Sequence, residues 1–141
     1  EECRRICKNL EPAEKEDWAT EYGDKTVSIK AVKDIFDAIA HINIYGSGHT
    51  DCILSKNPGN IELFMNLVDS AGVFANASTR FADGFRYGLG AEVGISTNKT
   101  HARGPVGLEG LTIYKYKLYG NGQIAGEYCS GEKHFKHERL I

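Results

Sequence analysis

The feature of the sequence that most constrains the fold is a strand-helix-strand-helix-strand alternation between residues 26 and 75. The run TVSIKAV at 26–32 is rich in β-branched residues and is typical of a buried strand. Two shorter apolar runs, at 51–55 and 72–75, predict a second and a third strand. Because parallel strands are joined by right-handed crossovers through a helix, this order predicts a parallel βαβαβ unit and an α/β fold.

Both predicted connecting helices carry clear start signals. Asp34 is a good N-cap for the first helix, which is predicted to end at Gly46. Asn57 and Pro58 open the second helix, since proline suits the first helical position. Apolar residues recur at helical spacing in both, at Ile35, Ala38, Ile39 and Ile42 in the first and at Ile61, Phe64, Met65 and Val68 in the second.

The pattern changes after Asn76. Seven glycines fall between Gly84 and Gly110 without sustained periodicity, which predicts a long loop. Loops of this length inside compact proteins are usually functional or pack against another part of the protein.

The C-terminal part of the chain predicts a β-hairpin. LTIYKYKLY at 111–119 alternates with period two, and Gly-Asn-Gly separates it from QIAGEY at 123–128. An edge strand rich in tyrosine is a template for pairing with another chain. We therefore expect a homo-oligomer formed through residues 111–128; the alternative is a hairpin folded back on its own domain.

Composition argues against several kinds of partner. Seventeen Lys and Arg against nineteen Asp and Glu leave a net charge of −2 without a basic stripe, so nucleic acid is not expected. No apolar run approaches the ~20 residues that span a bilayer, and the charged N-terminus does not resemble a signal peptide, so we expect no membrane partner and a cytoplasmic location. The four cysteines lack zinc-ligand spacing, which predicts reduced thiols and no metal site.

A cluster of polar residues follows the third predicted strand. Ligands of α/β sheets gather at the carboxyl ends of the strands, where this cluster lies. An amide, two hydroxyls and a guanidinium there predict a site for a substrate that carries a carboxylate and a phosphate, formed by Asn76, Ser78, Thr79 and Arg80. Arg80 is the first choice for the anionic group. The alternative is a capping loop with a surface arginine.

Two glycine-containing segments look like nucleotide-binding motifs but fail the tests for them. The turn YGSGHTD at 45–51 lacks P-loop spacing, and its residues alone favour a helix C-cap and a loop. YGLGAEVG at 87–94 has GxGxxxG spacing and no strand that leads directly into it, so it is not a dinucleotide fingerprint.

Three longer blocks carry a family resemblance: VKDIFDAIAHINIYGSGHTDCI at 32–53, NASTRFADGFRYGLGAEVGIST at 76–97 and HARGPVGLEGLTIYKY at 101–116. They resemble the γ-glutamyl phosphate reductase (glutamate-5-semialdehyde dehydrogenase) family of the aldehyde dehydrogenase superfamily. The match runs through most of the chain from Trp18 onward. Members of this family are much longer, with their nucleophilic cysteine and dinucleotide-binding half upstream. The resemblance therefore implies a C-terminal portion that lacks the nucleophile and is inactive alone.

The resemblance also implies a reaction. The parent enzyme would use NADPH, bound mainly outside this chain, to reduce L-glutamyl 5-phosphate to L-glutamate 5-semialdehyde in proline biosynthesis. Such chemistry needs a cysteine thiolate that expels phosphate and a nicotinamide that reduces the thioester. The alternative is a non-catalytic, truncated, reductase-like interaction or oligomerisation module. Fusion to a eukaryotic glutamate kinase would allow a mitochondrial location.

Further site residues and an organisation of the chain follow from the same resemblance. His49 is the candidate for orienting a loop near the active site, and Arg103 is a second cationic candidate for the substrate. Glu21 lies where the superfamily has a glutamate that contacts the cofactor ribose; the alternative is a solvated acid. The expected organisation is a three-layer catalytic-domain part of the aldehyde dehydrogenase type, divided into a charged helix and loop at 1–25, the βαβαβ unit with a glycine-rich active-site loop at 26–110, and the oligomerisation hairpin and tail at 111–141.

Overall fold

The computed structural model describes residues 2–100 and 102–138. The described helices and strands, in chain order, are α1 (Glu2–Ile6), α2 (Ile35–Tyr45), β1 (Thr50–Ile53), α3 (Pro58–Leu67), β2 (Gly72–Ala75), β3 (Gly94–Ser96), β4 (Gly104–Val106) and α4 (Ala125–Cys129). Short 3-10 turns lie at Glu16–Ala19, Thr79–Phe81 and Glu109–Leu111.

Local capping explains where α2 and α3 begin and end. The Asp34 carboxylate accepts a hydrogen bond from the Asp37 backbone N–H at 3.0 Å, which starts α2, and α2 gives way to Gly46. The Asn57 side chain accepts hydrogen bonds from the N–H groups of Gly59 and Asn60, and α3 starts at the proline that follows. Both predicted helices are confirmed.

β1 and β2 form a parallel pair joined by α3, with Thr50 opposite Gly72 and Ile53 opposite Ala75. The second and third predicted strands and their crossover are therefore confirmed. A small core lies between the sheet and the helices. Its fully buried members are Ile39, Phe64 and Val68, and the half-buried side chains packed around them are Ile35, Ile42, Ile53, Leu63 and Val73.

The first predicted strand, at 26–32, is wrong. This segment belongs to no strand, and Val27 and Ile29 are exposed by 74% and 55%. A strand needs a hydrogen-bonding neighbour, and the described part of the chain provides none for this segment. Instead, Lys30 of this segment contacts α2, with its Nζ 3.0 Å from His41 Nδ1. The predicted βαβαβ unit is thereby reduced to a βαβ unit.

The glycine-rich segment contains more order than its sequence indicated. β3 and β4 pair antiparallel within it, with Gly94 opposite Val106 and Ser96 opposite Gly104. The buried Gly84 lies against the Ala91 carbonyl, and a Cβ on this glycine would approach that oxygen to 2.5 Å. The Gly84 N–H donates to the Glu92 carboxylate at 2.7 Å. The absence of a side chain at Gly84 lets the loop close on itself.

The predicted C-terminal hairpin is also wrong as a feature of this chain alone. Residues 112–119 form no ladder with any described residue, and residues 125–128 of the predicted second strand lie in the helix α4. Ile113 is 98% exposed and Tyr116 is 89% exposed. The period-two pattern is real, but from Ile113 to Tyr119 its backbone groups have no hydrogen-bond partner in the described ranges.

The chain exposes far more surface than a self-contained domain of its mass. Its accessible surface is 12238 Å², whereas a compact monomer of this mass exposes about 7,200 Å² by the usual scaling. None of the helices described in the structure combines the length and apolar character needed to cross a membrane.

Candidate functional site

The predicted site residues lie at two ends of the parallel sheet. His49 immediately precedes β1, whereas Asn76 immediately follows β2, and the two strands run in the same direction. A four-residue strand is about 13 Å long at the usual rise per residue. We call the end formed by residues 54–57 and 76–82 the carboxyl edge and the end formed by residues 46–49 and 69–71 the amino edge. His49 and the segment that contains Arg80 therefore lie at opposite ends of the parallel strand pair.

Asn76 makes the first turn of the carboxyl edge. Its φ of 53° lies in the left-handed region, which asparagine tolerates better than most residues. Its side-chain oxygen accepts from the Ser55 N–H and its side-chain nitrogen donates to the Ser55 carbonyl, both at 2.9 Å. Both polar ends of the amide are therefore engaged by the neighbouring strand end.

The next residues form a short capped turn. The Ser78 hydroxyl accepts a hydrogen bond from the Arg80 N–H at 3.2 Å, which starts the 3-10 turn at Thr79–Phe81. The Cys52 thiol donates to the Ala77 carbonyl at 3.0 Å and ties this turn to β1. Within residues 2–100 and 102–138, neither the Thr79 hydroxyl nor the Arg80 guanidinium makes a hydrogen bond.

Arg86 also contacts the turn that contains Arg80. Its guanidinium donates to the Arg80 carbonyl and pairs with the Asp83 carboxylate at 3.3 Å. The backbone of Arg80 is thus held while its side chain remains available. A guanidinium can bind a phosphate or a carboxylate through two parallel hydrogen bonds, so the carboxyl edge is suited to an anionic ligand.

At the amino edge, His49 contacts its own turn and the start of β2. Its carbonyl accepts from the Gly72 N–H at 2.9 Å, and its Nδ1 lies 2.7 Å from the Thr50 hydroxyl oxygen. Its N–H donates to the Ser47 hydroxyl at 3.3 Å. These bonds order the turn between α2 and β1.

Arg103 is engaged by an aspartate that the sequence reasoning missed. It donates to both the backbone carbonyl and the carboxylate of Asp69, each at 3.0 Å, and Lys99 pairs with the other carboxylate oxygen. The hydrogen bonds from Lys99 and then Arg103 lower the pKa of Asp69. Arg103 therefore anchors the segment before β4 to the amino edge. The sequence signal that could have predicted this contact is Asp69, which lies between a helix and a strand, together with the basic residues Lys99 and Arg103, which are four positions apart.

Glu21 lies beside an aromatic cluster that faces α2. The Trp18 ring meets the His41 ring edge to face, with 5.2 Å between centroids, and His41 also packs on Tyr45. Burial, and then the charge of Lys30, lower the pKa of His41. Glu21 is exposed, and in the described ranges its carboxylate has no hydrogen-bond partner.

The remaining candidate chemistry is limited to single groups. Among the residues that the structure describes, no three histidine, cysteine or acidic side chains form a group that could hold a metal ion. All four cysteines are free thiols, and the thiol of Cys52, in β1, contacts the carboxyl edge through the Ala77 carbonyl. The described arrangement presents the Arg80 guanidinium at the carboxyl edge and the exposed Glu21 carboxylate beyond the sheet, each without a hydrogen-bond partner in the described ranges.

Comparison with known proteins gives a consistent result. No family model matches the chain. It is 62% identical over 139 residues to γ-glutamyl phosphate reductase from Brachyspira hyodysenteriae, covering 99% of this chain and 32% of the relative. The reductase from Methanosarcina acetivorans is 58% identical over 132 residues, covering 93% and 30%.

A solved structure agrees in fold. The crystal structure of γ-glutamyl phosphate reductase from Thermotoga maritima matches with a TM-score of 0.81 and 47% identity, covering 87% of this chain and 30% of that one. The chain spans about a third of the length of the curated relatives it matches. The resemblance predicted from the sequence is confirmed.

Proposed function

We propose that this chain, which belongs to the γ-glutamyl phosphate reductase family, forms part of an enzyme that reduces L-glutamyl 5-phosphate to L-glutamate 5-semialdehyde in proline biosynthesis. The observation that carries the proposal is the carboxyl edge. At that edge, Arg86 holds the backbone of Arg80, while the Arg80 guanidinium has no partner among the described residues. The chain that carries this arrangement is 62% identical to a protein named as the reductase. The alternative of a non-catalytic module is not favoured, because the relatives bear the name of a reductase.

The open surface supports a role as a portion of a larger enzyme. The chain exposes 12238 Å², about 1.7 times the area expected for a compact monomer of its mass. Segment 26–32 has the composition of a buried strand but no neighbour in the described ranges. We propose that further polypeptide covers this surface, completes the three-layer arrangement and supplies the reactive thiolate.

Arg80 and Thr79 would hold the substrate. The guanidinium is expected to bind the phosphate or the α-carboxylate of glutamyl phosphate through two charge-assisted hydrogen bonds. The Thr79 hydroxyl, which is exposed one residue away, would donate a further bond. These contacts would orient the acyl carbon for attack by the thiolate, with phosphate as the leaving group.

The cofactor would be held mainly by residues outside this chain. The Glu21 carboxylate is exposed and, in the described ranges, unoccupied by other side chains, so it is free to accept hydrogen bonds from a ribose. NADPH, when bound, would supply the hydride for reduction of the thioester. A Glu21→Gln variant should raise the KM for NADPH and leave the KM for glutamyl phosphate unchanged; equal effects on both would reject this role.

Steady-state kinetics of the complete enzyme test the substrate assignment. Loss of a charged hydrogen bond in Arg80→Ala should cost about 1.5–3 kcal/mol, which corresponds to a rise of about 10- to 150-fold in the KM for glutamyl phosphate. Lys8→Ala, which removes an exposed cation outside the carboxyl edge, is the control and should leave the KM unchanged. An absence of NADPH oxidation that depends on glutamyl phosphate would refute the proposed function, whereas an unchanged KM in Arg80→Ala would refute only the assignment of Arg80.

Residues 111–128 are proposed to join a second copy of the chain. Ile113, Tyr114, Tyr116, Leu118 and Tyr119 are each more than 80% exposed. Such an extended, partly apolar segment has the character of an edge strand that pairs with another chain. Removal of 111–128 should reduce the mass measured by light scattering to that of a monomer, while removal of α1 should not. An unchanged mass after the first deletion would reject the assembly role.

A further inference from the structure

We propose that Asn76 is a positioning residue that aims the Arg80 guanidinium at the substrate and does not itself bind the substrate. The inference rests on the proposed function of the carboxyl edge. It revises the prediction that groups Asn76 with the substrate ligands, because the contacts of its amide lie within the protein.

The backbone of Asn76 leaves the strand in a conformation that few residues adopt. Ala75 is the last residue of β2 to be paired, opposite Ile53, and Asn76 follows with a φ of 53°. Among the described residues it is the one non-glycine residue with a positive φ. A left-handed residue at this point turns the chain away from the sheet.

Beyond this turn, the side chain of Asn76 makes hydrogen bonds of the kind that the backbone of a continuing strand would make. Its amide oxygen and nitrogen bond the N–H and the carbonyl of Ser55, both at 2.9 Å, while its own N–H donates to the Ile53 carbonyl at 2.8 Å. The amide continues the pairing of the two strand ends by one step. A ligand would have to compete with these bonds to recruit the same groups.

The Asn76 amide, bound to the Ser55 backbone, is an anchor that sets the positions of the residues that follow. The Ala77 carbonyl is fixed by the Cys52 thiol at 3.0 Å, and the Ser78 hydroxyl caps the turn that contains Arg80. The guanidinium lies four residues beyond the anchor and has no partner among the described residues. Loss of the amide should therefore loosen the loop and misplace Arg80 without removing any group that contacts the substrate.

A double-mutant cycle in the complete enzyme tests this role. Asn76→Gly keeps the left-handed backbone accessible and removes only the amide. It should raise the KM for glutamyl phosphate about three- to tenfold, with a smaller change in kcat. In an Arg80→Ala background the same substitution should have no further effect, because there is no guanidinium left to position. Asn98→Ala, at an exposed asparagine, is the control and should leave the KM unchanged.

Two kinetic outcomes would overturn the inference. A wild-type KM in Asn76→Gly would show that the anchor is dispensable, and independent, multiplying effects of Asn76→Gly and Arg80→Ala would indicate that Asn76 contacts the substrate directly.

A readout that needs no activity separates this inference from the proposed function. Hydrogen–deuterium exchange by mass spectrometry should show faster exchange in peptides that cover 54–58 and 76–82 in Asn76→Gly, by at least about threefold for the loss of these hydrogen bonds. Unchanged exchange would overturn the positioning role even in an active enzyme. Faster exchange in a protein that does not reduce glutamyl phosphate would refute the proposed function and retain the anchor.

Discussion

Residues 35–75 and residues 112–119 both carry regular apolar patterns, yet only the first region buries them. Ile39 and Phe64 are 6% and 4% exposed, whereas Ile113 is 98% exposed. In the first region each pattern finds its partner nearby, since β1 pairs with β2 across one helical crossover. In the second region no described residue pairs with the strand-like pattern. A period-two pattern thus specifies a pairing surface but does not specify where the partner lies.

The sharpest contrast between the two regions should come from truncating one apolar side chain in each. Phe64→Ala opens a cavity in the small core and should lower the free energy of unfolding by about 3–5 kcal/mol. Ile113→Ala in the same 141-residue chain should change it by no more than about 0.5 kcal/mol, because the side chain is already in water. Urea unfolding followed by circular dichroism measures both. Similar losses in the two variants would contradict the contrast.

The glycine-rich segment provides an intermediate case, ordered by local closure without a large core. Gly84→Ala would place a Cβ 2.5 Å from the Ala91 carbonyl and should destabilise the chain by about 1–3 kcal/mol through overpacking. Gly94→Ala is the matched control, because a Cβ there meets no atom within 4 Å. Equal unfolding free energies in the two variants would show that the loop is not closed around Ala91.

What the sequence could predict follows the same division. Helices α2 and α3 were predictable from Asp34, Asn57 and Pro58, because capping depends on residues within one turn. Segment 26–32 was mispredicted because β-branched composition says nothing about whether a neighbouring strand is present. The same limit applies to 111–119.

The candidate site was predictable in composition but not in contacts. Its position after β2 followed from the strand order. That Asn76 is bound to the Ser55 backbone, and that Arg103 is bound to Asp69, depends on packing between segments more than 20 residues apart in the sequence. Residue type alone could not distinguish a ligand from an anchor there.

A smaller effect tests whether the first region depends on its local caps. Asn57→Ala removes the acceptor of two backbone N–H groups at the start of α3 and should cost about 1 kcal/mol. Asn66→Ala, at an exposed position inside the same helix, should be neutral or slightly stabilising. Urea unfolding of both variants checks the prediction, and a neutral Asn57→Ala would mean that tertiary packing alone fixes the start of the helix.

The smallest expected effect concerns the contact of residues 18–30 with α2. Because burial and then Lys30 lower the pKa of His41 below its usual value near 6.5, the folded chain binds fewer protons than the unfolded chain. This contribution to stability is present above pH ~6.5 and is lost as the pH falls toward the lowered pKa. The free energy of unfolding, measured at several pH values, should fall more steeply with decreasing pH in wild type than in His41→Gln. Identical slopes in the two proteins would contradict this prediction.

Hydrogen exchange of residues 112–119 tests the central claim that these residues find their partner outside the described chain. In the isolated 141-residue chain, their amides should exchange at rates close to those of an unfolded peptide, because they have no ladder. In the complete, assembled enzyme the same amides should be protected by at least about 100-fold. Rapid exchange in both preparations would contradict the account, as would protection already present in the isolated chain.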